Sequence, residues 1–117
     1  MTFKMSKSKT IGDRSGTMEL EFDINDTSIL GTASFAMVEQ GWTVKLPGTI
    51  TGVYNPKNGN VTFATIPKTA KYAGKDYPYG IRVTGVLNGD RIVCSITYMI
   101  ANQQHTDEGV IITRSLE

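Results

Sequence analysis

Ile81-Arg82-Val83-Thr84-Gly85-Val86-Leu87-Asn88-Gly89-Asp90-Arg91-Ile92-Val93-Cys94-Ser95-Ile96-Thr97-Tyr98-Met99-Ile100 is the stretch whose reading decides the fold. Ile81, Val83, Gly85 and Leu87 share one face while Arg82 and Thr84 take the other. Beyond Asn88-Gly89-Asp90, the residues Ile92, Cys94, Ile96, Tyr98 and Ile100 alternate with Arg91, Ser95 and Thr97. A period of two is that of a strand with one buried face. Asn-Gly supplies the positive-φ residues that a tight turn requires, so the two runs predict a β-hairpin. A lone hairpin is marginal in water, and its apolar face must be covered by the rest of the chain.

The same period recurs on the N-terminal side. Met18, Leu20, Phe22 and Ile24 alternate with Thr17, Glu19, Glu21 and Asp23, and Asn25-Asp26-Thr27-Ser28 supplies turn chemistry after them. Ala33, Phe35 and Met37 continue the pattern within Leu30 to Val38; Trp42, Val44 and Leu46 follow the turn Glu39-Gln40-Gly41. Pro47-Gly48 predicts a kink, bulge or strand end, because proline has no N–H to give a ladder. Thr49 to Tyr54 and Asn60 to Ile66 flank Asn55-Pro56-Lys57-Asn58-Gly59 as a further hairpin, and Val110 to Arg114 closes the series. No ten-residue segment has a helical period. The expectation is all-β: an antiparallel up-and-down meander of about eight strands, forming a closed or nearly closed barrel. Leu20, Phe22, Phe35, Val44, Val83, Ile92, Cys94 and Ile96 are its expected core.

Three stretches lack the alternation. Residues 1–16 hold Gly12, Gly16, Lys4, Lys7 and Lys9 and read as a flexible lead-in to a single barrel domain over 17–115. Pro67 to Gly80 carries Tyr72, Tyr77 and Tyr79 with Lys68, Lys71 and Lys75, reads as a loop too long for a hairpin link, and has room for one helical turn. Ala101 to Gly109 reads as a polar loop, and Leu116-Glu117 as a probable cloning remnant. Thr51-Gly52-Val53-Tyr54-Asn55 and Thr84-Gly85-Val86-Leu87-Asn88 form a partial repeat, with glycine placed where a small barrel bends.

At 117 residues the chain is one domain, long enough to bury about two-thirds of its unfolded surface. Twelve basic and eleven acidic side chains leave a formal charge of +1, too balanced to gather nucleic acid or anionic membrane by charge. Cys94 is the only cysteine, which excludes an intrachain disulfide and leaves the redox compartment open. No apolar run is long enough for a signal-peptide core or a transmembrane helix.

Short antiparallel strands in succession, with glycines inside strands and Asn-Gly at tips, make the chain from Thr17 to Arg114 resemble the calycin barrels, which include lipocalins and avidins. It is also similar to the small calycin-like secreted proteins of gut Bacteroidetes. The resemblance implies a bacterial β-barrel of secreted or periplasmic location. The lipocalin Gly-x-Trp on a first strand is replaced here by Gly41-Trp42 after two strands, and no family site residue is carried over.

Residues with chemistry are few. His105 lies beside Asp107 and Glu108, a composition that a general base or metal ligand would use, yet a lone histidine without a second His or Cys at ligand spacing makes a poor metal site. Cys94 shares a face with Ile92 and Ile96 and reads as core; a nucleophile needs exposure and a lowered pKa. There is no Gly-x-Ser-x-Gly and no phosphate-cradling loop, so no catalytic residue, cofactor or metal is assigned. The candidate binding residues are Trp42, as a barrel-end plug or stacking platform, and Tyr72, Tyr77 and Tyr79, whose rings offer rigid contact area. The lysines of 67–80 would allow base stacking as in an OB-fold, against which the small net charge stands.

The expected function is non-enzymatic binding of a small apolar or amphipathic molecule at or in the barrel. The alternative is a protein–protein interaction or inhibitor module that uses the 67–80 tyrosine stretch. An eight-stranded barrel stands at the size where side chains either fill the interior or leave room for one ligand, so the interior decides between them.

Overall fold

A computed structural model describes residues 1–11, 14–39, 42–66, 68–72, 74–100 and 103–115; at 9–11, 14–15, 37–39, 42–44, 70–72, 77, 100 and 103 it describes the backbone alone. Nine strands follow one another: β1 (Thr2–Ile11), β2 (Arg14–Asn25), β3 (Ser28–Glu39), β4 (Trp42–Tyr54), β5 (Asn60–Thr65), β6 (Lys68–Tyr72), β7 (Lys75–Asn88), β8 (Arg91–Ile100) and β9 (Gln103–Thr113). Every pairing is antiparallel, in the order β1-β2-β3-β4-β5-β7-β8-β9, with β6 also on β7. No helix occurs among the described residues.

β5 and β6 occupy successive halves of one edge of β7, so the barrel has eight strand positions. Ala64 pairs with Arg82 and Lys68 with Tyr79, which sets three residues of the chain, 65–67, against Gly80 and Ile81. One extra residue on that side is a bulge between β5 and β6. The expected long loop over 67–80 is therefore a strand break followed by a hairpin. β7, fourteen residues at about 3.3 Å each, matches the full 46 Å length of the molecule.

Several other expectations change. Thr2–Ile11 is no lead-in: it pairs along its whole length with β2, and Phe3 is fully buried. The polar stretch before Gly109 is the first half of β9. Strand β4 runs through Pro47-Gly48 without ending. Thr49 uses its carbonyl toward β5, accepting from Ile66 N–H at 2.9 Å. Pro47, two residues earlier, faces the same way, and its missing N–H points to the side that carries no ladder partner there. In the β7–β8 turn, Asn88 pairs with Arg91, so the two central residues are Gly89 and Asp90. Gly89 alone has positive φ, at 64°, as in a hairpin turn with glycine first.

The expected core is observed, apart from Val44, whose side chain lies outside the described residues. Leu20, Phe22, Phe35, Val83, Ile92, Cys94 and Ile96 are buried together with Phe3, Met18, Ile29, Ile50, Val61, Phe63, Tyr98 and Ile112. One inward row, Ile24-Ile29-Gly52-Phe63-Val83-Ile96, crosses six strand positions by direct pairing. Phe22 stacks on Phe3 at 5.4 Å and meets Phe63 at 4.5 Å. The partial repeat has a steric cause. A Cβ at Gly52 would lie 2.4 Å from Phe63 Cβ, and one at Gly85 would lie 2.5 Å from Cys94 Cβ. Each glycine lets neighbouring strands coil where a side chain would force them apart.

The barrel is nearly closed. Among the described residues, the only ladder contact across the seam is the bridge of Phe3 on β1 with Arg114, just past β9, supported by Ser115 N–H donating to the Thr2 carbonyl at 2.8 Å. Below that bridge the seam is unsealed.

Phe22→Ala should cost about 3–5 kcal/mol in urea unfolding, because it removes the ring that joins Phe3 to Phe63. Glu21→Ala, one residue away on the wet face, should stay within about 0.5 kcal/mol. Equal losses would mean that the two faces are exchanged, since a one-residue slip inverts every side chain.

Candidate functional site

At the open seam the inward rows end in polar side chains. Lys7 on β1 pairs with buried Met18, Asp107 on β9 pairs with buried Ile96, and His105 pairs with buried Tyr98, so all three stand at inward positions. Lys7 Nζ donates to Asp107 Oδ2 at 3.2 Å, and His105 Nε2 lies 3.2 Å from Asp107 Oδ1. One carboxylate thus joins two strands that share almost no backbone ladder.

A bulge creates this arrangement. Cys94 pairs with Val110 and Ile96 with Asp107, so Ser95 faces both Glu108 and Gly109, the latter at φ 68°. The extra residue shifts the phase of β9. Val110 and Ile112 point inward after it, His105 and Asp107 before it. Cys94 and Tyr98 complete the cluster. Burial pushes the Cys94 thiol up to about 11, a rise that the Lys7 ammonium partly offsets. Burial and then the Asp107 carboxylate, as a nearby charge and as hydrogen-bond partner, raise the Tyr98 hydroxyl above the ordinary phenol range. Both groups therefore stay protonated at neutral pH, and neither is a ready nucleophile or base. Among the described residues no three His, Cys, Asp or Glu side chains are grouped to hold a metal ion.

The four aromatic candidates do not converge in what is described. Trp42 is placed opposite Glu39, Tyr72 opposite Lys75 and Tyr77 opposite Ala70; the side chains of all three lie outside the described residues. Tyr79 is buried, and its hydroxyl donates to the Pro47 carbonyl at 2.7 Å. It spans the gap where β6 does not pair with β4, so a side chain takes over a missing ladder bond.

The outer surface carries two features that alternation alone did not indicate. An open groove of about 590 Å³ crosses the outside of β1 to β4. Its floor is two direct cross-strand rows, Lys4-Glu21-Thr32-Thr49 and Ser6-Glu19-Ser34-Pro47, with Lys68 at one end. Lys4 and Glu21 approach to 4.0 Å; Glu19 and Lys68 have no ion pair among the described residues. On the opposite side Val86, Val93 and Ile111 pair directly across three strands and remain 44%, 52% and 54% exposed. Of these residues, alternation puts only Glu19 and Glu21 on a wet face; Lys4, Ser6 and Lys68 fall in stretches that read as lead-in or loop, and the pairing register shows which residues are neighbours.

No protein-family model, no curated protein and no solved structure matches this chain. No helix among the described residues is long and apolar enough to cross a membrane.

Two measurements check this account. Tyr79→Phe should lower stability by about 0.5–1.5 kcal/mol through loss of the bond to Pro47, with an unchanged strand spectrum. The second concerns alkali. An unfolded thiol titrates near 8.5, whereas native Cys94 holds its proton to about 11. Its stabilising contribution is complete below about pH 8.5 and is lost as pH rises through about 11. Unfolding free energies from urea titration should fall across this window by at most about 1.4 kcal/mol per pH unit, with Tyr98 adding its loss from about pH 10. Cys94→Ala should flatten the fall between about pH 9 and about pH 10.

Proposed function

We propose that this protein is a non-enzymatic binding module whose ligand is a short polar chain of peptide type, carrying an ammonium group at one end and a carboxylate at the other. The observation that carries the reading is the contrast between its two surfaces. Inside, Phe3, Phe22, Phe63, Tyr98, Ile29, Ile50, Ile92 and Ile112 are almost wholly inaccessible and make the described interior apolar. Outside, the groove across β1 to β4 stays open and is floored by hydroxyls and charges. A ligand on the outer face has to be polar to suit that floor.

Glu19 stands on β2, second in its row, and Lys68 on β6, at the end beyond Pro47. Strands lie about 4.8 Å apart, so these charges are separated by roughly the length of a four-residue extended chain. Thr32, Ser34 and Thr49 supply hydroxyl donors and acceptors between them. The raised proton affinities of Cys94 and Tyr98 support binding over catalysis. The nearly closed antiparallel meander supports the calycin-like reading of the barrel.

A second reading, a protein-interaction module, rests on the row Val86-Val93-Ile111. Three half-exposed side chains offer a few hundred Å² at most, far below the ~800 Å² per partner of a stable interface, which suits only a weak contact.

Zwitterionic tetra-alanine is the probe. Titrated into isotope-labelled protein, it should give saturable amide shifts at Glu19, Ser34 and Thr49 and be recovered intact. Glu19→Gln and Lys68→Gln should each weaken binding about threefold, as expected of screened charge pairs. Tetra-alanine blocked at both ends should bind more weakly than the zwitterion. Absence of saturable shifts, or unchanged affinity in both variants, would overturn the proposal; cleavage of the peptide would make the protein an enzyme.

A further inference from the structure

A depression of about 270 Å³ lies on the outer face of β7 to β9, away from the groove described above. Its floor is Gly80, beside the bulge that separates β5 from β6. A Cβ at Gly80 would stand 2.8 Å from Thr65 Oγ1, the atom that accepts from Ile81 N–H at 3.0 Å. A side chain at position 80 and that hydrogen bond compete for the same space, so the hollow belongs to the backbone geometry of the strand break.

Two cross-strand rows wall it. Arg82 pairs with Thr97 and Thr97 with Thr106; Gly80 pairs with Met99 and Met99 with Gln104. The Thr97 and Thr106 hydroxyls are 3.1 Å apart and hydrogen-bonded. Arg82 is exposed and has no ion pair with a carboxylate among the described residues. A permanently charged, planar fork of donors thus borders a hollow that also holds the Gln104 amide, the Thr97 hydroxyl and the thioether of Met99.

We infer that this hollow is a binding site for a small organic anion, a carboxylate or phosphate monoester with a compact apolar body. The guanidinium takes the anionic oxygens, and two parallel N–H donors suit either group. Gln104 and Thr97 add neutral polar contacts, while Met99 receives the apolar part. The volume exceeds what a bare inorganic anion fills and is close to the lower limit of known small-molecule sites.

The test uses benzoate, phenyl phosphate and the neutral benzyl alcohol, at constant ionic strength, on the full chain labelled for NMR. Either anion should produce saturable shifts at the amides of Gly80, Arg82, Thr97, Met99 and Gln104. The alcohol should bind at least tenfold more weakly. Arg82→Gln should reduce anion affinity at least tenfold without altering the remaining spectrum, and Arg82→Lys should restore part of it. Tighter binding of benzoate assigns a carboxylate, and tighter binding of phenyl phosphate assigns a phosphate monoester. Equal binding of the alcohol, retention of affinity in Arg82→Gln, or shifts confined to other strands would each overturn the inference.

Discussion

The close approach of neighbouring strands at Gly52 against Phe63 and at Gly85 against Cys94 governs how tightly this sheet coils. Both glycines occupy inward positions, where a larger residue would fill space that the facing side chain already holds. Were the strands forced apart there, the sheet would open. Phe22 would then lose its simultaneous contacts with Phe3 and Phe63, which lie on β1 and β5 and meet only because the sheet curves between them. The aromatic cluster and the glycines are therefore one device. Large rings supply the buried area, and absent side chains let the backbone wrap around them.

Curvature brings β1 to β9 but does not zip them. The Phe3–Arg114 bridge holds the two strands near the chain ends, and the extra residue at Glu108-Gly109 changes the course of β9 immediately beyond. Inward positions next to an open seam border water, so apolar residues there would leave a wet hydrophobic slot. Lys7 and Asp107 occupy those positions instead. Their ion pair links residues a hundred apart in sequence, with side-chain exposures of 36% and 15%. That intermediate burial weakens screening without imposing the full desolvation penalty of a deep interior.

This geometry also explains which parts of the fold the sequence revealed. Where a strand keeps one phase from end to end, as in Met18 to Ile24 or Ile92 to Tyr98, alternation gave the face, the partner type and the core residues correctly. Where the phase changes, it did not. His105 and Asp107 are inward before the bulge and Val110 and Ile112 inward after it, so no window across 103–113 shows a clean period. In β1 the inward residues pass from Phe3 and Met5 to Lys7, and the apolar signal fades although the strand continues. The same holds between β5 and β6, where a bulge interrupts the pairing along β7. The groove and the Arg82 hollow were hidden for another reason: they depend on which wet-face residues become neighbours, and pairing register between strands is a non-local property.

Exposed backbone edges are where a barrel can recruit a strand, and the residues on them here oppose it. From Trp42 to Thr49, β4 has no ladder partner on its β5 side among the described residues. Pro47 lacks the N–H that an incoming strand would use, and its carbonyl is already taken by Tyr79. Lys45 and Lys68 are exposed on the two strands that border the gap. Proline and lysine on an edge are the usual protection against edge-to-edge pairing. With the edge blunted in this way, recognition is left to faces rather than edges, among them the two outer depressions. Both lie beside the β4–β6 gap or its bulge, and there the strand break that prevents a closed ladder also gives the outer surface its relief.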